Sequence, residues 1–448
     1  MTTTTSYQQK AKEALTLSMP IIAGQLGQVL MGFFDTVQIG GLGHEYIAAS
    51  GFANGLYWMI ILLGMGILYA VSPLVSKAFG EQKAYRSIGV LQASLLVSVV
   101  LTFIFTGLIH LMATHIEILK HTEVDNRLGA AFLNTVNYST GFVFFFMAGK
   151  QFLDGMGHTK VGMYITLVGL VLNYFLNDTL IYGKYGMPAW GIEGAAMANS
   201  ISRGLMAVAI FVYIWRNKQV AALWQTYRAH RENPIDFVKP ILVIGVPAGL
   251  QFFWEVAAFN AGQIMSGWIS VEAEAAHMIA IGLASITFMV LSGVAHAGTI
   301  MVGYSFGAKN KEEIRRSGQV ILLITLSIEI IFAVLFFAFR HQLPEIYTQE
   351  SSVIGIASTM LVFAALFQLS DGMQAAGAGL LRGMHDVKYP AAIAFVCYWL
   401  VMIPTGYVLA FTFGLGLRGI WIGFLVGLTL AAVAMLLRFN RAVQRLPF

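Results

Sequence analysis

The feature that most constrains this chain is a succession of twelve apolar runs, each about 20 residues or longer, the length an α-helix needs to cross a bilayer. They fall near 14–40, 46–73, 88–113, 129–149, 161–183, 191–215, 240–269, 275–302, 317–339, 353–381, 389–413 and 416–437. Hydrophobic residues make up 57% of the 448 and charged residues only 11%, against about 25% in a soluble domain. With so few charges, lipid must be the solvent for most of the surface. Polar residues 2–6, then Lys10 and Lys12, precede the first run, so no cleaved signal peptide is expected. The single Cys397 sits in an apolar run and reads as a small packing residue.

The basic residues test this count. Even-numbered connections hold Lys77, Lys83 and Arg86; Lys150 and Lys160; Arg216, Lys218, Arg228, Arg231 and Lys239; Lys309, Lys311, Arg315 and Arg316; Arg382 and Lys388. The tails add Lys10, Lys12, Arg438, Arg441 and Arg445, giving 21 on one side. Odd connections hold five: Lys120, Arg127, Lys184, Arg340 and Arg418; only Arg203 falls mid-span. A wrong helix count would scramble this alternation, and the positive-inside rule puts both termini in the cytoplasm. The net charge of +5 is therefore a topology signal, and no nucleic-acid partner is expected.

The chain also repeats itself. At a shift of 227, residues 20–80 lie over 247–307: Pro20 meets Pro247, Gly40 meets Gly267, Glu45 meets Glu272, Gly66 meets Gly293 and Phe79-Gly80 meet Phe306-Gly307. DGMGHTK (154–160) lies over RGMHDVK (382–388). Six spans per copy is an even number, so both copies enter the membrane the same way up. The predicted architecture is all-α: two pseudo-symmetric six-helix bundles, 1–216 and 240–448, joined by a cytoplasmic linker and candidate hinge at 217–239. Asn233-Pro234 breaks helix in that linker. Repeats of this kind build the two-sided cavities of secondary transporters. Pro20 and Pro247 read as helix-start prolines.

A charge at mid-bilayer costs about 2.5–3.5 kcal/mol on insertion scales, so an acid inside a span is a functional hypothesis. Asp35, Glu255 and Asp371 are the strongest cases; Glu329 and Asp178 are weaker. Asp35 overlays Gly262, Glu255 overlays Gln28 and Asp371 overlays Val143, so the symmetry does not require these acids. A desolvated carboxyl can carry a proton at neutral pH; with amide oxygens it can coordinate sodium. Asn173 and Asn177 share a helix face, and with Asn199 and Asp35 would make one oxygen-rich site. Trp254, Phe252, Phe253, Phe144, Phe145 and Tyr57 could supply apolar and cation–π contact to an organic cation.

Enzyme chemistry finds no support. HExxH and GxxxxGK[ST] are absent from the sequence, and GLGLRG (414–419) joins two spans with no strand before it. His277 and His296 lack a paired cysteine or an acid at ligand spacing. No cofactor is expected; without a nucleotide site, energy must come from an ion gradient.

At these residues the chain resembles the multidrug and toxic compound extrusion (MATE) family in its NorM-like branch, over nearly its whole length. The carrying pieces are MGFFDTVQIGGLG with Asp35, the Asn173/Asn177 pair before LIYG, GIEGAAMAN, GVPAGLQFFWE with Glu255, DGMQAAGAGLLRGMHD with Asp371, and IPTGYVL at 403–409. The resemblance implies a V of two bundles around a central cavity. It implies a monomer in the inner membrane that exports cationic lipophilic drugs against sodium, protons or both. It places one cation site at Glu255 and Asp371 and another at Asp35, Asn173 and Asn177. Phe367 stands where relatives often have Tyr, and Met278 where they often have Gln. With Trp254, Tyr57 and Gln28 these are the substrate-wall candidates. Asn177 is Asp in proton-linked branches, which favours sodium there. The alternative is a lipid-linked oligosaccharide flippase of similar architecture, but that would want a strongly basic cavity, and of the Lys and Arg residues only Arg203 lies mid-span.

Overall fold

A computed structural model describes residues 6–116 and 123–448; Lys120 and residues 2–5 lie outside them. Every regular element among the described residues is helical. The first half runs α1 (Tyr7–Gly40), α2 (His44–Leu68), α3 (Val71–Gly80), α4 (Arg86–Thr114), α5 (Glu123–Val136), α6 (Thr140–Gly155), α7 (Thr159–Tyr182), α8 (Gly191–Arg216) and α9 (Lys218–His230). The second half runs α10 (Val238–Gly267), α11 (Val271–Gly307), α12 (Lys311–Ala338), α13 (Gln342–Glu345), α14 (Ser351–Gly383), α15 (Lys388–Phe395), α16 (Ile403–Tyr407) and α17 (Leu417–Gln444).

Eleven helical segments among the described residues are long and apolar enough to cross a bilayer. The remaining expected span, 129–149, falls on α5 and α6, which a 3₁₀ turn at Asn137–Ser139 separates. The side chains there compete with helical bonding. Asn137 Nδ2 donates to the Thr106 carbonyl on α4 at 3.1 Å, Thr140 Oγ1 donates to Asn137 Oδ1 at 3.1 Å, and Ser139 Oγ donates to the Val136 carbonyl. The result is a multi-pass membrane protein made of helices.

Two compact units divide the chain: an N-terminal unit of 23–249, and a C-terminal unit of 1–22 with 250–448. The divisions fall inside α1 and α10, each just past a proline. Pro20 and Pro247 lie within these helices and do not start them, correcting the sequence expectation. A proline in a helix interior deletes one backbone bond and crowds the preceding turn. Membrane helices tolerate this where neighbouring helices re-satisfy the backbone.

The repeat is visible in close approaches. A Cβ on Gly66 would run into the backbone of Gly249 in the N-terminal unit, and one on Gly293 into Ile22 in the C-terminal unit. These are the same pairing moved by 227 residues. Likewise Gly155 packs on Ser72 and Val75, and Gly383 on Thr299 and Val302. Small residues let membrane helices approach at their backbones.

The stretch 217–239 is structured. Asn217 Oδ1 accepts from the amides of Gln219 and Val220 to cap α9, worth about 1 kcal/mol, and Asn233 caps the 3₁₀ turn Pro234–Phe237. Arg86 Nε pairs with Glu232 at 3.1 Å, Tyr85 stacks on His230 at 4.1 Å, and Gly89 leaves room for the Phe237 ring. The segment is thus docked on the start of α4.

Candidate functional site

In the N-terminal unit, α1, α7 and α8 bring Asp35 together with all three expected asparagines. Residues 173 and 177 are one turn apart, so both amides face the same way. Asn177 Nδ2 donates to Asp35 Oδ1 at 2.5 Å and Asn199 Nδ2 to Asp35 Oδ2 at 2.8 Å. Asn177 also reaches Asn173 Oδ1, and Asn173 Nδ2 reaches Asn199 Oδ1, each at 3.4 Å. The three asparagines are buried while Asp35 keeps partial exposure. Asn177 Oδ1 is buried without a hydrogen-bond partner. The carboxylate is held by amide N–H groups, and the three asparagines also bring carbonyl oxygens to the cluster, the ligand type a hard monovalent cation takes.

One turn beyond Asn199, Arg203 Nη1 donates to Ser139 Oγ at 2.8 Å and to the Tyr57 hydroxyl at 3.1 Å. Its guanidinium also covers the Tyr57 and Trp58 rings at 5.3 and 5.2 Å. Tyr57 is fully buried, so its ring face is already taken by an internal cation.

In the C-terminal unit, Glu255 on α10 and Asp371 on α14 are 5% and 6% exposed. They lie within electrostatic reach of each other, and neither forms an ion pair among the described residues. Asp371 Oδ1 lacks a hydrogen-bond partner. Gln374, one turn along α14, lies beside Glu255 with its amide atoms buried and without a well-formed bond. The Tyr398 hydroxyl is within electrostatic reach of both acids and is also unpartnered. Arg382 acts on Glu255 from further along α14, its guanidinium 5.1 Å from the Phe252 ring.

Sequence reasoning missed Gln374 and Tyr398. The spacing of Gln374 from Asp371 was a usable signal. Tyr398 had none, because it sits in a π-helical stretch, Val396–Met402, where the helical period changes. Pro404 follows that stretch, and wide turns of this kind accommodate a missing amide. Phe367 is packed edge-on against Trp421 at 5.4 Å in the unit's core; Tyr398 brings the hydroxyl that Phe367 lacks. Met278 is exposed, and Gln28 and Trp254 are partly so. Trp254 packs against Phe395 and Trp399 and accepts the Trp399 indole N–H at its carbonyl.

Asp178 pairs with Lys184 at 2.8 Å. His277 is buried against Trp421 and Phe424. No group of three or more His, Cys, Asp or Glu among the described residues is disposed to hold a metal ion.

The MatE family profile matches the chain twice, over residues 20–179 and 247–408, and the two matches begin 227 residues apart, the shift of the internal repeat. A probable multidrug resistance protein NorM of Halalkalibacterium halodurans is 30% identical over 99% of this chain and 97% of its own length. The crystal structure of the eukaryotic MATE transporter AtDTX14 superposes with a TM-score of 0.88 at 19% identity, covering 98% of each chain. A MOP-superfamily transporter from Pyrococcus furiosus, described as having a binding pocket of reversed polarity, gives 0.87 at 21% identity over 100% of both chains. With both repeats matched and kinship running nearly end to end, the chain belongs to the MatE family of multidrug transporters.

Proposed function

We propose that this chain is a cation-coupled antiporter that exports cationic, lipophilic drugs and other toxic organic compounds by alternating access. Sodium, protons or both flow inward in exchange. It works as a monomer in the inner membrane with both termini cytoplasmic, requires no cofactor and catalyses no covalent reaction. The observation that carries this reading is the burial of Glu255 and Asp371 together without an ion pair. Unpaired buried charge is costly, so the pair is stabilised when a positive charge enters. Coupling follows if the coupling ion and the drug each favour a different state. The Asp35 cradle offers a second acceptor, and because the Asn177 amide cannot titrate, sodium suits it better than a proton. Met278, Trp254 and Gln28 retain accessible surface for substrate. Tyr57 and Phe367, by contrast, are fully buried and present no surface to a substrate.

The flippase reading needs free basic groups for a pyrophosphate. Arg203 is bound to Tyr57 and Ser139, and Lys150 is paired with Asp154 at 2.7 Å. Glu255 and Asp371, by contrast, are buried acids with no ion pair among the described residues, which favours organic cations.

Ethidium efflux from energised vesicles tests the proposal. Asp371→Asn and Glu255→Gln are expected to reach normal levels of folded protein and to lose cation-driven efflux. Wild-type rates in both variants would overturn it. Imposing sodium and pH gradients separately identifies the driving ion.

A further inference from the structure

The C-terminal unit holds a third buried acid that the antiport scheme above does not use. Glu329 on α12 is completely buried, and neither carboxyl oxygen has a well-formed hydrogen bond. Its side chain lies against α14 at Gly372, where a Cβ would collide with its Oε1, and Leu291 of α11 closes the same spot. Gly372 follows Asp371 in the chain, and Asp371 is the one charged group that acts on Glu329 from the helices packed around it. One turn before it on α12, Thr325 Oγ1 is also buried and unpartnered. The sequence LSIEIIFAV gave no hint of this, since α12 carries no mid-span polar neighbour of its own beyond Thr325 and Ser327; the neighbour is supplied by α14.

A carboxyl kept here only to tie helices together would be hydrogen-bonded, because a polar group left unsatisfied in lipid costs several kcal/mol. Neither oxygen here has a well-formed bond; the donors beside it are the backbone amides of Gly372 and Met373, which lie inside α14. Nor is it a co-ligand of the first acid pair, since no three acids gather closely enough to hold one metal ion among the described residues. The geometry points to Glu329 as a second station for the coupling cation: a site, separate from Glu255 and Asp371, that receives a proton or sodium ion when Asp371 gives it up. Two neighbouring carboxyls cannot both stand ionised in this medium without counter-charge, so occupancy of one station bears on the other. Thr325 Oγ1 offers a further oxygen for sodium. The inference rests on the antiporter reading.

The test uses full-length protein in proteoliposomes. Glu329→Gln keeps the side-chain size and removes the charge. Its thermal melt and its ethidium affinity are expected to match wild type, while gradient-driven efflux falls about tenfold or more. Loss under the pH gradient alone assigns the station to protons; loss under the sodium gradient alone assigns it to sodium. Wild-type efflux under both gradients overturns the inference and leaves Glu329 a packing residue. Should the variant fold poorly, wild-type protein decides: dicyclohexylcarbodiimide, which modifies carboxyls in apolar surroundings, should label Glu329, with labelling reduced by the driving ion. Labelling of Asp371 with none at Glu329 overturns it. A wild-type protein that moves no ethidium under either gradient defeats the antiporter reading itself, and the labelling then still decides whether Glu329 takes a cation.

Discussion

Asp35 is held by donors on both carboxylate oxygens, Asn177 on one and Asn199 on the other. Under the proposed function, an asparagine oxygen would turn toward the entering cation, so that the same residues serve the empty and the filled site. Asn177→Asp would place a second carboxyl in contact with the first. The two cannot both ionise without counter-charge, and a proton becomes the simplest bridge. The expected outcome is that sodium-driven ethidium efflux drops about tenfold relative to pH-driven efflux, measured in the same vesicles under separate gradients. An unchanged ratio would mean that the Asp35 cradle takes no part in selecting the ion. Asn199→Leu acts differently. It removes a buried donor from Asp35, which costs about 1–3 kcal/mol, and is expected to lower the thermal midpoint whichever ion is present.

At the scale of the helix, two features set how the elements bend and touch. Pro247 interrupts α10 just before the chain passes from one compact unit to the other. Pro247→Ala restores the missing amide, and an interior proline costs about 3 kcal/mol; the variant is therefore expected to melt higher. Transport is expected to slow, as flexibility is lost with the strain, and faster efflux with a higher melting temperature would show that α10 does not need to flex at Pro247. Gly293 is the opposite case. Leucine there drives into Ile22, and overpacking of this kind costs about 1–3 kcal/mol, read as a lower melting temperature; Gly66→Leu should do the same against Gly249.

Much of this was legible in sequence. Run length gave the spans, and the Gly66/Gly293 and Pro20/Pro247 matches gave the repeat. Asp35, Asn173, Asn177 and Asn199 were expected to meet and do. What stayed hidden depends on contacts between distant segments. Asn137 broke α5 from α6 through a bond to Thr106. Tyr398 entered the acid pair from a π-helical turn, and Glu329 found Asp371 only because glycine at 372 lets α12 approach α14.

At the scale of the molecule, the division of the chain in sequence and its division in space differ. The polar segment 217–239 separates the repeats in sequence, yet it lies wholly within the N-terminal unit and is docked there by Arg86–Glu232 and Tyr85–His230. The C-terminal unit is completed by residues 1–22, and the N-terminal unit by α10 up to Gly249. A fragment of 240–448 alone therefore lacks the helix segment that Gly293 packs against. A fragment of 1–216 lacks the one that Gly66 packs against. Each would expose a small-residue surface with no helix to fill it, and such backbone approaches are a main source of helix association in lipid. Cutting the chain between 217 and 239 and expressing the halves separately should give protein that aggregates or melts well below the intact chain. Co-expressing the halves should restore a single complex of normal melting temperature with ethidium efflux. A lone C-terminal half as stable as the whole would show that the exchanged segment contributes nothing. Recovery only on co-expression would show that two repeats, each built to the same pattern, reach a stable fold by lending each other their first half-helix.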